Sequence, residues 1–147
     1  MLKNIKTKID IKLFSKYKFE CIKLHQQYAN EMELNDQVVE KYTINDTMKH
    51  YNKKNYYQYL IEYNNQPVGI VECSKKISKI DNKKYLYLDI IFIDENYRRK
   101  QIASDTIKEL KEKFKLRIEL ECWYDLPANN LYKSMEMKEI KTRYVFM

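Results

Sequence analysis

Glycine, proline and long apolar runs are scarce in this chain, which has one Gly and two Pro among 147 residues. No linker, repeat or low-complexity tract divides the sequence. A membrane-spanning helix needs about 20 predominantly apolar residues, and no run here approaches that length. The first residues also lead into no apolar segment typical of a signal peptide. We therefore expect a single domain over residues 1–147, without a membrane span and located in the cytoplasm.

Cysteine and histidine are also few, with three Cys and two His. The cysteines, Cys21, Cys73 and Cys122, form no Cys-x-x-Cys motif and lie in apolar patterns, which favours reduced core thiols over disulfides. Cys21 and His25 have the i, i+4 spacing of half a metal site, but no further His or Cys cluster completes it. The sequence predicts no metal site. Without a Gly-x-Ser-x-Gly motif, it also gives little support to a nucleophile–base pair.

Basic residues outnumber acidic ones, 28 to 21, and the formal net charge is +7. The hydrophobic content of 44% is too high for a disordered chain, so a packed core is expected. The positive charge makes an anionic partner plausible: nucleotide phosphates, nucleic acid or an anionic membrane surface. A lysine-rich solvated surface explains the charge alone equally well.

The spacing of apolar residues predicts six strands and four helices. The predicted strands are 4–13, 56–63, 67–76, 83–94, 116–124 and 137–147, and the predicted helices are 17–33, 43–52, 104–114 and 127–135. The apolar character of the fourth strand is typical of burial on both faces. This order predicts an α/β fold, with a mixed sheet of about six strands flanked by about four helices.

The loop after the fourth predicted strand contains three adjacent cations, Arg98, Arg99 and Lys100. The first N–H groups of the helix that follows lack intrahelical partners and carry partial positive charge. A tight loop would add further N–H groups, and the small Ala103 would let a phosphate approach the backbone. The loop therefore predicts a pyrophosphate cradle, with a basic helix cap on the surface as the alternative.

The segment LDIIFIDENYRRKQIASDTIKEL, residues 88–110, resembles the acyl-CoA-binding motif of the GNAT superfamily of N-acyltransferases. That motif is a hydrophobic strand, then [Arg/Gln]-x-x-Gly-x-[Gly/Ala], then a helix. Arg98 takes the first position and Ala103 the last, whereas Gln101 stands where the family has glycine. A side chain there either crowds the pyrophosphate or requires a backbone conformation that only glycine adopts at low cost.

A second segment, YDLPANNLYKSMEMKEI, resembles the family's Asn-x-x-Ala-x-x-Leu-Tyr-x-x-x-Gly-Phe sequence. Ala128, Leu131 and Tyr132 match this pattern, while Asp125 and Glu136 depart from it. The two motifs are separated by one helix and one strand, as in the family. The resemblance covers residues 84–147, whereas residues 1–80 agree only in the order of elements.

The resemblance implies a GNAT-type fold and an enzyme that transfers an acetyl group from acetyl-CoA directly to an amine, without a covalent intermediate. It implies Tyr132 as the general acid that protonates the departing thiolate. Asp89, a charge within an apolar strand, and Glu121, on the neighbouring strand, are the candidate bases, with a solvent-facing or ion-paired role as the alternative for both. The implied cofactor-binding residues are Ile91, Phe92, Ile93, Arg98, Arg99, Lys100, Gln101, Ile102, Ala103, Ser104, Asp125, Ala128 and Tyr132.

Two other interpretations remain open at this point. The departures at Gln101, Asp125 and Glu136 also suit a non-catalytic GNAT-fold module that binds CoA weakly or binds only a protein partner. A small basic nucleic-acid-binding domain rests on net charge alone and is the less favoured of the two. The sequence does not select the acceptor amine, and it leaves a homodimer open.

Overall fold

A five-stranded sheet forms the centre of the computed structural model, which describes residues 9–13, 18–34, 54–122, 126–141 and 144–147. The strands are β1 (Ile9–Leu13), β2 (Tyr56–Tyr63), β3 (Gln66–Ile77), β4 (Lys84–Ile93) and β5 (Arg117–Glu119). Their spatial order follows the chain, with antiparallel pairing from β1 to β4 and parallel pairing between β4 and β5. This is the mixed sheet that the order of elements predicted.

Helices cover both faces of the sheet. They are α1 (Lys18–Leu34), α2 (Ile102–Phe114) and α3 (Ala128–Ser134), and a short 3-10 turn (Glu95–Tyr97) follows β4. The core under α1 consists of Cys21, Ile22, Leu24, Leu60, Ile70, Ile90 and Phe92. The core under α2 includes Val71, Cys73, Ile107 and Leu110. Because Ile70 and Val71 are successive strand residues in different cores, these cores lie on opposite faces.

The turns of the sheet use residues that tolerate a left-handed backbone. Asn64 and Asn65 join β2 to β3 with φ angles of 50° and 63°, which suits a tight hairpin. The single glycine, Gly69, lies where β3 passes close to β4. A Cβ at this position would approach the carbonyl oxygen of Phe92 to 2.4 Å, so only glycine fits without a shift of the strand.

A β-bulge divides β4 into two halves. Glu72 of β3 pairs with Ile90, and Cys73 pairs with Leu88, so that Asp89 is the extra residue. Residues two apart in a regular strand share one face, but here Leu88 lies in the core under α2 and Ile90 in the core under α1. The bulge therefore re-aims the second half of β4 and leaves the side chain of Asp89 exposed at the strand's surface.

Two strand predictions need correction. Within the described residues up to 122, the strand predicted over 116–124 covers only Arg117–Glu119, because β5 leaves β4 after three paired positions. The last strand, predicted over 137–147, is wrong for the described part of that segment: residues 137–141 and 144–147 belong to no strand and are largely exposed. The predicted helix 43–52 and residues 4–8 of the first strand lie outside the described residues.

Candidate functional site

A cavity opens where β4 and β5 separate. The two strands pair only between 85–87 and 117–119, and beyond this point they enclose a space of about 180 Å³. Residues from four elements and the segments next to them line it: Tyr28, Met32, Leu88, Asp89, Ile90, Ile91, Leu120, Glu121, Cys122, Leu126, Ala128 and Tyr132. The short β5 and the bulge in β4 are thus the features that create the site.

The loop before α2 forms a cradle of unpaired backbone N–H groups. Arg99 and Gln101 both adopt left-handed conformations, with φ angles of 63° and 61°, the outcome expected of a side chain at the family's glycine position. The first α2 residue whose N–H donates to a carbonyl is Asp105, at 3.0 Å from the oxygen of Gln101. Within the described chain, the N–H groups of residues 101–104 have no protein partner, so they are available to an anion.

Arg98, the first of the three loop cations, is held by the protein itself. Its Nε donates to the carbonyl oxygen of Ile93 at 2.9 Å, and its Nη2 lies 2.5 Å from a carboxylate oxygen of Glu31 on α1. The guanidinium carbon lies 5.5 Å from the centre of the Phe92 ring. The side chain therefore points from the loop toward α1.

The other two cations differ from Arg98. The Lys100 ammonium lies 5.9 Å from the centre of the Tyr63 ring, a weak cation–π contact. Arg99 is exposed, and its side chain has no partner among the residues that the structure describes. Of the three, Arg99 is the most available to a bound phosphate.

Tyr132, on α3, lies in the wall of the cavity. Burial raises its pKa to about 12, with smaller contributions from Cys122 and Tyr28. The phenol is therefore fully protonated at neutral pH, as a proton donor must be. Its position is compatible with the role of general acid that the sequence predicted.

Two carboxylates face the same cavity from neighbouring strands. Asp89 lies at the bulge of β4 and accepts a hydrogen bond from the hydroxyl of Ser74, while Glu121 follows β5. The pKa of the adjacent Tyr87 is raised by burial and then by the charges of Glu121 and Asp89. The structure thus brings both predicted base candidates to one place.

Helix α1 supplies a wall that the sequence motifs did not indicate. Tyr28 and Met32, one turn apart, line the cavity opposite α3. The Tyr28 ring packs edge-on against Phe92, with centroids 6.0 Å apart. Both residues lie on the apolar stripe of α1, but the stripe alone does not show that its last turns reach the cavity.

A buried contact between a histidine and a carboxylate joins α1 to the sheet beside this wall. His25 Nε2 lies 2.7 Å from a carboxylate oxygen of Glu72 on β3, and each side chain is 1% exposed. Glu72 also accepts hydrogen bonds from Tyr56 and Gln58. Burial alone raises the pKa of Glu72, but the hydrogen bond and charge of His25, with the Tyr56 and Gln58 bonds, bring it below its usual value.

The remaining predicted cofactor residues have different positions. Ile91 and Ala128 line the cavity. Phe92 and Ile102 are 6% and 2% exposed and pack in the two cores, so only their backbone groups are available to a ligand. Asp125 lies outside the described residues.

Over the described ranges, no group of three or more His, Cys, Asp or Glu side chains is arranged to hold a metal ion. Across the same ranges, no helix has both the length and the apolar composition needed to cross a bilayer.

The sheet that opens between β4 and β5, followed by a loop with unpaired N–H groups and a helix, defines an α/β protein with a cavity beside the second half of β4. The family model of the acetyltransferase (GNAT) family matches residues 19–137. The chain belongs to this family. Acetyl transfer is therefore its general activity class, as the two sequence motifs predicted. A comparison with curated protein sequences finds no match.

Solved acetyltransferase structures share the fold over almost their whole length. Aminoglycoside acetyltransferase meta-AAC0020, from an uncultured soil metagenomic sample, is 16% identical with a TM-score of 0.71, covering 98% of this chain and 97% of that one. Aminoglycoside N-acetyltransferase AAC(6')-Iy, solved with CoA, is 10% identical with a TM-score of 0.74, covering 99% and 98%. A ribosomal-protein-alanine N-acetyltransferase from Brucella melitensis biovar Abortus 2308 is 16% identical with a TM-score of 0.72, covering 95% and 99%. Identities this low establish the fold alone.

Proposed function

We propose that the protein is an acetyl-CoA-dependent N-acetyltransferase that uses the cavity between β4 and β5. The observation that carries this proposal is that β4 leads from one feature to the other. Its residues 88–91 line the cavity, which also contains a protonated phenol and two carboxylates, and the loop that follows the strand presents the unpaired N–H groups of residues 101–104. A purely apolar ligand would need neither feature.

The residues fit acetyl-CoA in the following way. The N–H groups of residues 101–104 would hold the pyrophosphate, with the Arg99 side chain at the rim. Beyond residue 87, the edge of β4 that faces β5 has no strand partner among the residues that the structure describes, so its backbone near Ile91 can bind the amides of the pantetheine arm. When bound, the cofactor supplies an activated thioester.

Tyr132 would donate its proton to the departing thiolate. A pKa of about 12 keeps the phenol protonated, but it also makes the phenol a weaker acid than it would be in water. Desolvation in the same cavity raises the proton affinity of the thiolate as well, so the two groups stay sufficiently matched for proton transfer. No covalent enzyme intermediate is needed, because the amine attacks the thioester directly.

Asp89 or Glu121 would accept the proton that the attacking ammonium must lose, directly or through a water molecule. Both carboxylates lie where β4 and β5 diverge, so either can reach an amine placed against the thioester. The same negative charges favour a cationic amine in the cavity before it is deprotonated.

The acceptor remains an amine of unassigned class. Two of the structural neighbours are aminoglycoside acetyltransferases and a third is a ribosomal-protein-alanine N-acetyltransferase. At 10–16% identity these names do not select among small-molecule and protein acceptors.

Thermal unfolding with acetyl-CoA tests the proposal. A ligand that binds only the folded state at 100 times its Kd stabilises that state by about 2.7 kcal/mol, so a clear rise in Tm is expected. Arg99→Glu should weaken this rise, because it reverses the one loop charge without a partner in the described chain. No shift with millimolar acetyl-CoA would overturn the proposal, whereas binding without thiol release from any amine in a panel would favour a non-catalytic CoA-binding module.

A further inference from the structure

We propose that Arg98 is a positioning residue that couples the phosphate cradle to α1, and that it is not itself a phosphate ligand. This inference rests on the proposed function, since it concerns how occupancy of the cradle changes the acceptor side of the same cavity. The GNAT motif would otherwise assign the Arg98 side chain to cofactor binding.

The contacts of Arg98 define the coupling. Its backbone belongs to the loop that precedes the cradle, and its N–H donates to the carbonyl oxygen of Glu95 at 3.4 Å. Its side chain spans to two other elements, with Nε on the Ile93 carbonyl at the end of β4 and Nη2 on Glu31 of α1. One side chain thus connects the loop, the strand and the helix.

The α1 end of this connection lies directly beside the cavity wall. Glu31 is three residues after Tyr28 and immediately before Met32, and both of these line the cavity. The ring of Tyr28 also packs on Phe92, over which the Arg98 guanidinium lies. The position of the last turns of α1 therefore depends on where the loop holds Arg98.

The direction of the coupling between the cradle and α1 follows from the conformation of the loop. Its N–H groups are unpaired and its backbone includes two left-handed residues, so an anion that accepts those N–H bonds should restrict the loop's conformations. A restricted loop fixes Arg98, and Arg98 then holds Glu31 and the wall formed by Tyr28 and Met32. By linkage, an acceptor that favours the same position of α1 should tighten the binding of CoA.

The ion pair sets the size of the effect. The Arg98 and Glu31 side chains are 39% and 33% exposed, so solvent screens the pair and the coupling is modest. We expect removal of the pair to change CoA affinity by less than about fivefold, the range of exposed ion pairs. Arg99→Gln, the matched control in the same loop, should weaken CoA binding more, because Arg99 is available to the phosphates.

Amide hydrogen exchange with and without CoA tests the coupling without needing an acceptor. In the wild-type protein and in Arg99→Gln, saturation with CoA should slow amide exchange in residues 28–34. In CoA-saturated Arg98→Gln and Glu31→Gln, that response should be lost. The double exchange Arg98→Glu with Glu31→Arg should restore part of it.

The outcomes separate this inference from the proposed function. CoA binding to the wild-type protein with no change in residues 28–34 would overturn the coupling alone. A larger loss of CoA affinity in Arg98→Gln than in Arg99→Gln, with the α1 response intact, would make Arg98 a phosphate ligand and also overturn it. Failure of the wild-type protein to bind CoA would instead overturn the proposed function, and the coupling with it.

Discussion

At the scale of single residues, the loop before α2 holds two side chains in a backbone conformation that favours glycine. Arg99 and Gln101 have φ angles of 63° and 61°, and the left-handed region costs a non-glycine residue roughly 1–2 kcal/mol. Gln101 makes no side-chain capping bond to α2, so its side chain does not offset this cost. The loop geometry is therefore kept by its surroundings, at the expense of stability.

Gln101→Gly should raise the free energy of unfolding by about 0.5–1 kcal/mol, because glycine adopts the left-handed conformation freely but also gains freedom in the unfolded chain. Urea unfolding measures this change. CoA affinity should be preserved or increased, since the phosphate ligands are backbone N–H groups.

The control for Gln101→Gly is Lys108→Gly at an exposed position within α2. Glycine at position 108 should lower the free energy of unfolding by about 1 kcal/mol. A clear loss of CoA affinity in Gln101→Gly would show that the glutamine side chain contributes to binding and that the backbone account is wrong.

Tyr132→Phe should lower kcat by about a hundredfold, the lower part of the range for general acid catalysis, because a thiolate is a fair leaving group even without a proton. The ring and its packing on the core are kept, so acetyl-CoA affinity should change little. Steady-state kinetics with an amine found by screening, or slow hydrolysis of acetyl-CoA, provides the measurement.

Tyr57→Phe is the matched control, because Tyr57 packs edge-on against Phe114, 5.0 Å between centroids, outside the cavity. It should leave kcat unchanged. If Tyr132→Phe turns over as fast as the control under conditions where chemistry limits the rate, Tyr132 is a packing residue and the acid lies elsewhere.

At the scale of elements, two irregularities in the sheet make the site. A regular β4 paired along its length with a longer β5 would leave no space for a ligand. The bulge at Asp89 and the end of β5 at Glu119 open the cavity and bring Asp89 and Glu121 to its edge. The hydroxyl of Ser74, on β3, donates to Asp89 across the bulge, which favours Asp89 over Glu121 as the positioned base.

Ser74→Ala should move the acid limb of the pH profile of kcat/KM to higher pH by about one unit. A carboxylate that loses a hydrogen bond to its charged form binds a proton more readily, and one such bond contributes about 1.5 kcal/mol, or roughly one pKa unit. Glu121→Gln should leave the limb in place. The reverse pattern, with the limb unmoved in Ser74→Ala and lost in Glu121→Gln, would assign the base to Glu121.

At the scale of the whole molecule, local patterns predicted the strands and helices between residues 56 and 114 better than the strands expected over 116–124 and 137–147. The strand 83–94, the loop from Arg98 and the helix after it are encoded by consecutive residues, so periodicity and motif located them within a few positions. The bulge was not predictable, because inserting Asp89 changes only the pairing with β3. The role of α1 depends on how a helix distant in sequence packs on the sheet, which no local pattern contains.

The buried pair of His25 and Glu72 is another feature that local sequence patterns could not predict. The spacing of Cys21 and His25 on one helix suggested at most half a metal site, and the actual partner of His25 lies on β3. A carboxylate with 1% exposure is costly unless it is paired and hydrogen-bonded. The hydrogen bonds that it accepts from Tyr56 and Gln58 meet this need, and its close contact with His25 joins α1 to the sheet.

This pair should make stability depend on acid pH. The pKa of Glu72 in the folded state lies below the value of 4.5. Its stabilising contribution is therefore complete above about pH 4.5, the unfolded value, and declines as the pH falls through the lower folded value. Glu72→Gln should lower the free energy of unfolding at pH 7 by about 3 kcal/mol, since removal of one partner from a buried pair leaves the other uncompensated.

As the pH falls from about 4.5 through the lower folded pKa, the difference between wild type and Glu72→Gln should shrink, because the carboxylate binds a proton first in the unfolded and then in the folded wild-type protein. Urea midpoints measured between about pH 3 and pH 7 follow this convergence. Glu112→Gln, at an exposed position on α2, is the control, and its midpoint should differ from that of wild type by a small and constant amount. Parallel curves for wild type and Glu72→Gln down to the lowest pH would mean that Glu72 stabilises the joint between α1 and the sheet by packing and neutral hydrogen bonds, and not by its charge.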